Sequence, residues 1–99
     1  MNVLMVRSKV KTESVAAIEA ALRAMFSAIQ EARPQGIRYA SFRLPDGVTY
    51  VAWLELDDGA ENPLPSLPAF REFQENLKNW LAEPPVVEPL TVIGSYRFF

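Results

Sequence analysis

Two stretches of the chain place apolar residues three and four positions apart, which is the spacing of an amphipathic helix. The first covers residues 12–32 and is followed by Pro34 and Gly36, and the second covers residues 66–82 and is followed by Pro84. Proline and glycine are common just past helix ends, because proline lacks the backbone N–H and glycine tolerates left-handed backbone angles. The pattern therefore predicts two helices, each with one apolar side that must be buried.

The other apolar stretches are shorter and alternate with polar residues, as expected for β-strands. They cover residues 3–10, the two sides of a turn at Pro45-Asp46-Gly47, and residues 86–99. In chain order the elements are strand, helix, strand, strand, helix, strand. Over 99 residues this order predicts one domain, residues 1–99, with an α+β, ferredoxin-like βαββαβ fold. Such a fold is a four-stranded antiparallel sheet with two helices on one face.

Successive side chains of a strand point to opposite faces of the sheet, so each predicted strand divides into two sets. The set expected to face the helices is Leu4, Val6, Ser8, Ala40, Phe42, Leu44, Tyr50, Ala52, Leu54, Leu56, Leu90, Val92, Gly94, Tyr96 and Phe98. The set expected to face away from them is Val3, Met5, Arg7, Tyr39, Ser41, Arg43, Thr49, Val51, Trp53, Glu55, Thr91, Ile93, Ser95, Arg97 and Phe99. Both sets contain large apolar residues, so neither face of the sheet suits contact with water.

The face directed away from the helices is expected to be covered by a second copy of the chain. Val3, Met5, Val51, Trp53 and Ile93 would otherwise be exposed together. Burying several hundred Å² of apolar surface contributes on the order of 10 kcal/mol at ~25 cal/mol per Å². The last strand would also be an edge strand, long enough to reach a neighbouring subunit. The sequence therefore predicts a homodimeric α/β barrel whose lumen is lined by the second set of residues.

The amino-acid composition excludes several types of reaction and several classes of binding partner. No cysteine and no histidine are present, which excludes disulfides, thiolate chemistry, the commonest metal ligand and the commonest general base. The net charge of −2 argues against a nucleic-acid partner. RNA-binding domains with this element order stack bases on aromatic residues of strands 1 and 3, and on the face directed away from the helices these strands carry only Trp53. No stretch approaches the ~20 apolar residues of a membrane span. We expect a cytoplasmic protein that binds neither nucleic acid nor membrane.

Polar and aromatic side chains of the second set are the candidate ligand-binding residues of the lumen. They are Tyr39, Ser41, Arg43, Trp53, Glu55, Arg97 and Arg7, with Asn62 in the loop before the second helix as a further candidate. Trp53 can stack on an aromatic ligand, and the arginines suit a carboxylate or a phenolate. Structural roles stay open: Trp53 can fill the dimer core, Arg43 can pair with Glu55, and Arg7 and Arg97 can form salt bridges at the rim. No catalytic residue can be assigned from the pattern.

An acidic segment follows the third predicted strand. Asp57, Asp58 and Glu61 carry the oxygen ligands that a hard cation prefers. Asp-Gly is, however, an ordinary turn sequence for backbone reasons alone. We therefore expect neither a metal site nor a resident cofactor.

Three segments of the chain carry a resemblance to a known family. Residues 34–39 lead into the second strand, residues 50–60 form the third strand and its acidic end, and residues 67–70 open the second helix. Together with the element order of the whole chain, they resemble the dimeric α/β barrel proteins, and within these the antibiotic-biosynthesis-monooxygenase-like group. The resemblance implies a homodimer with a ligand cavity, either between the sheet and the helices or inside the barrel.

This family includes small cofactor-free oxygenases, haem-degrading enzymes and ring isomerases. Its members often carry a tryptophan where this chain has Leu56, and a histidine within residues 60–64, where Asn62 is the nearest polar residue. The missing histidine argues against haem degradation. The resemblance thus implies a cofactor-independent, monooxygenase-like enzyme acting on an aromatic or anionic substrate. The alternative is a non-catalytic ligand-binding or purely structural dimer.

Overall fold

The computed structural model describes residues 2–98. The strands are β1 (Asn2–Lys9), β2 (Ile37–Arg43), β3 (Thr49–Leu56) and β4 (Val86–Leu90). The helices are α1 (Val15–Ala32) and α2 (Pro68–Leu77), preceded by single 3-10 turns at Thr12–Ser14 and Leu64–Ser66. The strands form one antiparallel sheet in the order β2-β3-β1-β4, which confirms the predicted ferredoxin-like fold. Over the described residues, neither helix combines the length and the hydrophobicity that crossing a bilayer requires.

Both helices pack on the same face of the sheet and form the core with it. In α1 the buried residues are Ile18, Met25 and Ile29, which belong to the predicted apolar stripe. Phe73 of α2 and Leu54 of β3 join the same cluster. Each such side chain contributes about 1.5–3 kcal/mol when it is fully buried. The stripe spacing thus determines which side of each helix lies on the sheet.

The turn between β2 and β3 is held by the side chain of Asp46. Asp46 Oδ1 accepts hydrogen bonds from the backbone N–H groups of Val48 and Thr49, at 3.0 and 2.8 Å, and Oδ2 accepts one from the Thr49 hydroxyl at 2.5 Å. These bonds, the one from the Thr49 hydroxyl first, lower the pKa of the Asp46 carboxyl. Gly47 has a φ of +77°, a conformation that L side chains rarely adopt. The predicted Pro45-Asp46-Gly47 turn is confirmed.

The second helix is shorter than the predicted 66–82, since α2 ends at Leu77. Beyond it, Trp80 O accepts a hydrogen bond from Lys11 N, and Ala82 N donates to Lys9 O, both at 2.8 Å. These bonds to the chain at the end of β1 replace the bonds that a longer helix would make along its own axis. Trp80 nevertheless packs against the core, as the apolar pattern predicts.

The last strand was predicted to run through residues 86–99, but β4 ends at Leu90. The register gives the reason: Leu90 pairs with Val3, and β1 begins one residue earlier, at Asn2. The sheet therefore offers almost no partner to the residues after Leu90. Residues 91–98, here called the C-terminal segment, lie outside any strand. Phe99, the end of the predicted strand, lies outside the described residues.

The register also corrects the predicted faces of β2. Tyr39 pairs with Leu54 and Ser41 with Ala52, and Leu54 and Ala52 lie on the helix side of the sheet. Tyr39, Ser41 and Arg43 therefore face the helices, whereas Ala40 and Phe42 face away from them. Each of the two alternating sets of β2 contains an aromatic residue. The alternation alone therefore could not decide which set faces the helices, because a shift of the strand by one residue exchanges the two sets.

The predicted faces of β4 were reversed in the same way. Val87 pairs with Val6 and lies on the helix side, while Leu90 pairs with Val3 on the opposite side. The assignments for β1 and β3 agree with the prediction, because Met5 and Trp53 are paired on the side away from the helices. That side of the sheet is called the open face below.

Candidate functional site

A cavity of about 290 Å³ lies between the sheet and the two helices. Its walls are mostly apolar, and its lining consists of Leu4, Val6, Ser8, Ile18, Leu22, Tyr39, Ser41, Tyr50, Ala52, Leu54, Asn62, Leu64, Phe70, Phe73, Gln74, Leu77, Pro85 and Val87. None of these lining residues carries a formal charge near neutral pH. The sheet–helix cavity therefore suits an apolar molecule that has a few polar atoms.

Tyr39 is one of the polar residues that line this cavity. Its ring stacks on Phe26 of α1, with centroids 5.1 Å apart, and meets Phe70 of α2 edge to face at 6.4 Å. Burial raises the pKa of Tyr39 to about 12, so the hydroxyl keeps its proton at neutral pH. Within residues 2–98 that hydroxyl makes no hydrogen bond. Tyr39 is therefore a neutral donor available to a ligand.

Asn62 supplies a second donor from the loop before α2. Its Oδ1 accepts a hydrogen bond of 3.0 Å from the backbone N–H of Leu64, and Leu64 is only 1% exposed. The buried leucine and this bond hold the amide at the cavity wall. Its Nδ2 makes no hydrogen bond with a described residue, so it can donate one to a ligand.

A charged cluster lies beside the cavity, at the side of α1. Glu19 Oε2 accepts hydrogen bonds from the Tyr50 hydroxyl at 2.7 Å and from Arg43 Nη1 at 2.6 Å. Glu19 Oε1 lies 3.4 Å from Arg23 Nη2, one helical turn further along α1. We call these four residues the Glu19 cluster. The bond from Tyr50, then that from Arg43, lowers the pKa of Glu19, so its carboxylate is ionised at neutral pH.

The Glu19 cluster lines an outer recess of about 310 Å³. Leu22, Ser41 and Tyr50 line both this recess and the sheet–helix cavity. Burial is the main cause, and the bond to Glu19 the second, of a raised pKa at Tyr50. Tyr50 therefore contributes to the lining of both the apolar sheet–helix cavity and the charged, more open recess.

The open face carries a second group of polar atoms. Trp53 Nε1 is buried and has no hydrogen-bond partner among the described residues. Glu55 is 3% exposed, and its Oε1 lies 3.9 Å from Arg38 Nε. The ring of Phe98 meets Trp53 at 5.7 Å, and Phe98 O accepts a hydrogen bond of 3.1 Å from Arg38 Nη1. The C-terminal segment therefore lies over part of this face.

The predicted lumen residues do not form one site. Tyr39, Ser41 and Asn62 line the sheet–helix cavity, and Arg43 lies beside it in the Glu19 cluster. Trp53 and Glu55 lie on the open face. The alternative pairing of Arg43 with Glu55 is wrong, because Arg43 bonds to Glu19 on the other side of the sheet.

The two remaining arginines are also separated from the cavity. Arg7 is exposed and pairs in register with Val51 of β3 and Val86 of β4, on the open face. Arg97 lies in the C-terminal segment with a φ of +57°, and its guanidinium lies 5.3 Å from the centre of the Tyr96 ring. Because β4 ends at Leu90, Arg97 does not belong to the sheet that carries Arg7.

Glu19 and Tyr50 were missed as candidates. Tyr50 was expected among the residues that pack against the helices, and neither a helical glutamate nor a strand tyrosine is unusual for its residue type. One signal was available: Glu19 and Arg23 are four residues apart, the spacing of a helical ion pair. In the described part of the chain, no group of three or more histidine, cysteine or acidic residues is arranged to hold a metal ion.

Comparisons with known proteins identify solved structures that have the same fold. No family model matches the chain, and no curated protein matches it. A candidate antibiotic biosynthesis monooxygenase from Nitrosomonas europaea superposes with a TM-score of 0.77 at 19% identity, covering 95% of this chain and 100% of that one. SnoaB, a cofactor-independent oxygenase from Streptomyces nogalater, superposes with a TM-score of 0.72 at 19% identity, covering 97% and 96%.

A third similar structure is Rv0793 from Mycobacterium tuberculosis, with a TM-score of 0.72 at 20% identity, covering 95% of this chain and 96% of that one. At these identities the likeness concerns the fold, and it extends over nearly the whole of each chain. The resemblance inferred from the sequence is confirmed at that level. The chain has the same fold as solved structures described as antibiotic biosynthesis monooxygenases and as a cofactor-independent oxygenase.

Proposed function

We propose that the protein binds a small aromatic molecule in the sheet–helix cavity and acts on it as a cofactor-independent, monooxygenase-like enzyme. The observation that carries this proposal is a cavity of about 290 Å³ with mostly apolar walls and two unused donors, the Tyr39 hydroxyl and the Asn62 amide. This volume lies at the lower end of the range of small-molecule sites, which is about 300–1,000 Å³. The walls hold an aromatic ring, and the donors orient one of its oxygen substituents.

The two donors are suited to stabilising an oxygen that gains negative charge. Oxygenation without a cofactor depends on the reactivity of the substrate itself, so the protein contributes position and hydrogen bonds. Donors fixed in a water-poor cavity stabilise a developing oxyanion more strongly than water does. That SnoaB shares this fold and is a cofactor-independent oxygenase supports the proposal.

The lining favours a neutral aromatic substrate over an anionic one. A carboxylate in the sheet–helix cavity would meet no cation, since none of the lining residues is charged. Burial of an unpaired charge is costly. Arg43, which lines the adjoining recess, is paired with Glu19 at 2.6 Å.

A homodimer is part of the same proposal. The open face and the C-terminal segment expose large apolar side chains, among them Phe42 at 53%, Ile93 at 93% and Tyr96 at 83%. The expected partner on this face is therefore a second copy of the chain.

One observation favours the second candidate, a ligand-binding dimer without catalysis. The lining of the sheet–helix cavity contains no carboxylate, lysine or arginine, and the chain has no histidine. A site of this kind can hold a ligand without an obvious base to act on it.

Calorimetry and oxygen uptake together distinguish the two candidates. The probes are neutral bicyclic aromatics, 2-tetralone, 1-naphthol and 2-naphthol, with 2-naphthoate as the charged control. We expect the neutral probes to bind more tightly than naphthoate, and at least one of them to consume oxygen faster with the protein than without it. Binding without oxygen uptake would establish the non-catalytic candidate, and the absence of binding by every probe would refute both.

A further inference from the structure

We infer that Tyr50 and Glu19 form a proton relay that carries a proton from a substrate in the sheet–helix cavity to the outer recess. The inference rests on the proposed function, because it identifies the base that such chemistry needs. Neither Tyr50 nor Glu19 was among the candidate site residues that the sequence pattern indicated.

Only two ionisable side chains, Tyr39 and Tyr50, line the described cavity. Tyr39 has a pKa of about 12 because it is buried, and no carboxylate lies within hydrogen-bond reach of its hydroxyl. It can donate a hydrogen bond but has no group to which it can pass a proton. Tyr50 differs in this respect, since its hydroxyl donates to Glu19 Oε2 at 2.7 Å.

The direction of that bond follows from the charge of Glu19. Hydrogen bonds from Tyr50 and Arg43 lower the pKa of the Glu19 carboxyl, so an ionised Glu19 can only accept. The proton of Tyr50 is therefore directed away from the cavity, towards Glu19. Arg43 also lies close to the Tyr50 oxygen, and its hydrogen bond and charge there partly offset the raised pKa of the hydroxyl. The remaining lone pair of the Tyr50 oxygen is the position that a proton from the cavity would use.

The relay can be written with every proton accounted for. A substrate C–H or O–H bond breaks, and its proton binds the Tyr50 oxygen while the Tyr50 proton moves to Glu19 Oε2. The substrate is left as an enolate or a phenolate, Tyr50 is neutral before and after the step, and Glu19 becomes a carboxylic acid. The Glu19 side chain is 22% exposed, so it can lose the proton to water in the recess.

The relay sets a condition on the substrate. Glu19 is a weak base, because Arg43 and Tyr50 stabilise its ionised form. A weak base removes protons efficiently only from acidic bonds. The substrate class is therefore an aromatic compound with an acidic proton of its own, such as a phenol or an enolisable benzylic ketone, which binds in its neutral form.

Proton transfer can be measured without oxygen chemistry. The probe is 2-tetralone, a neutral ketone whose acidic C–H is both benzylic and next to the carbonyl, and the readout is exchange of this C–H for deuterium in D2O, followed by NMR under nitrogen. We expect the wild-type protein to accelerate the exchange, and Tyr50→Phe and Glu19→Gln each to reduce the acceleration at least tenfold. Glu31→Gln, which removes an exposed carboxylate from the same helix, is the matched control and is expected to match the wild type.

A pH profile distinguishes a relay from a structural role. The exchange requires ionised Glu19, so it should fail as the pH falls through the pKa of Glu19. The charged or titratable groups that contact Glu19 in the structure are Tyr50 on β3, Arg43 on β2 and Arg23 on α1. Arg43→Ala removes one of the hydrogen bonds that lower this pKa, so the acid limit of the exchange should move to higher pH.

The possible results separate the relay from the function on which it rests. If 2-tetralone binds and its exchange is accelerated equally in wild type, Tyr50→Phe and Glu19→Gln, the relay is refuted while the cavity function stands. Binding without any acceleration also refutes the relay. If 2-tetralone does not bind, the ligand cavity and the relay fail together. Circular dichroism of each variant establishes that a loss of exchange does not come from unfolding.

Discussion

The indole of Trp53 and the ring of Phe98 meet edge to face, with centroids 5.7 Å apart and planes at 73°. This contact joins the middle of the open face to the end of the C-terminal segment. The segment covers the face and exposes its own apolar side chains, since Phe98 itself remains 60% exposed. Two neighbouring features of one subunit, the open face and the segment, therefore offer a continuous apolar surface to a second copy.

The first prediction is that the protein is a dimer in solution. Light scattering at low micromolar concentration should give twice the 11.1 kDa chain mass, because large contiguous apolar surfaces are rarely left exposed on a monomer. Phe42→Asp, which places a charge on the open face, should give the monomer mass. A wild-type protein that scatters as a single 11.1 kDa species would refute the dimer.

The second prediction is that the C-terminal segment stabilises both the subunit and the dimer. Deletion of residues 95–99 removes the contact of Phe98 with Trp53 and the hydrogen bond from Arg38. We expect a lower melting temperature and dissociation of the dimer at higher concentration, measured by calorimetry and by sedimentation. Phe98→Ala, which keeps the backbone acceptor of Arg38, should show part of the effect. Unchanged association after the deletion would place the interface elsewhere.

The third prediction concerns Asp46, whose hydrogen bonds lower the pKa of its carboxyl. A carboxyl with a lowered folded-state pKa contributes stability above its unfolded-state pKa of about 3.9, and this contribution is lost as the pH falls through the folded value. Asp46→Asn cannot ionise. The melting temperature of the wild type should therefore exceed that of the variant at pH 7, and the difference should shrink below about pH 4.

The matched control for Asp46 is Asp57→Asn, which also removes one negative charge near a turn. Asp57 accepts no side-chain hydrogen bond from residues 2–98, so its replacement tests the effect of charge alone. Equal pH dependence of the two variants would show that the Asp46 bonds do not contribute as described.

The fourth prediction concerns ligand binding in the sheet–helix cavity. Tyr39→Phe keeps the ring that stacks on Phe26 and removes the donor, which should weaken binding of 1-naphthol about fivefold, the value of a hydrogen bond worth about 1 kcal/mol. Arg97→Ala is the matched control, because Arg97 lies in the C-terminal segment and not in the cavity lining. Calorimetric titration measures both, and weakening by Arg97→Ala with none by Tyr39→Phe would place the ligand outside the sheet–helix cavity.

Asn62→Asp gives a sharper test of the second donor in the cavity. The carboxylate can still accept the hydrogen bond from Leu64 N, but it presents an acceptor where the amide had a donor. We expect this variant to keep its melting temperature and to bind 1-naphthol at least fivefold more weakly. Unchanged affinity would mean that the amide does not contact the ligand.

The sequence was sufficient for the fold because the helical stripes are unambiguous. Ile18, Met25 and Ile29 lie at helical spacings and are buried together, and the Asp46 turn follows from local chemistry. These features depend on residues close together in the chain. Propensity and periodicity describe such local order well.

The candidate site was only partly predictable from the sequence, because the residues that line it depend on the register in which the strands pair. In β2, Tyr39 and Phe42 could each have been the aromatic residue on the helix side, and only the pairing of Tyr39 with Leu54 decides between them. The end of β4 depends likewise on where β1 begins. Glu19 and Tyr50 are 31 residues apart, and no local pattern relates a helical glutamate to a strand tyrosine at that separation.

The two tryptophans give separate optical probes of two different events. Trp53 lies on the open face, whereas Trp80 packs against Phe73 in the core, with centroids 6.4 Å apart. In a variant that retains Trp80 alone, the emission spectrum reports when the helices close onto the sheet. In one that retains Trp53 alone, it reports when the open face is covered. Stopped-flow fluorescence of the two variants can thus time folding and assembly independently in a protein of 99 residues.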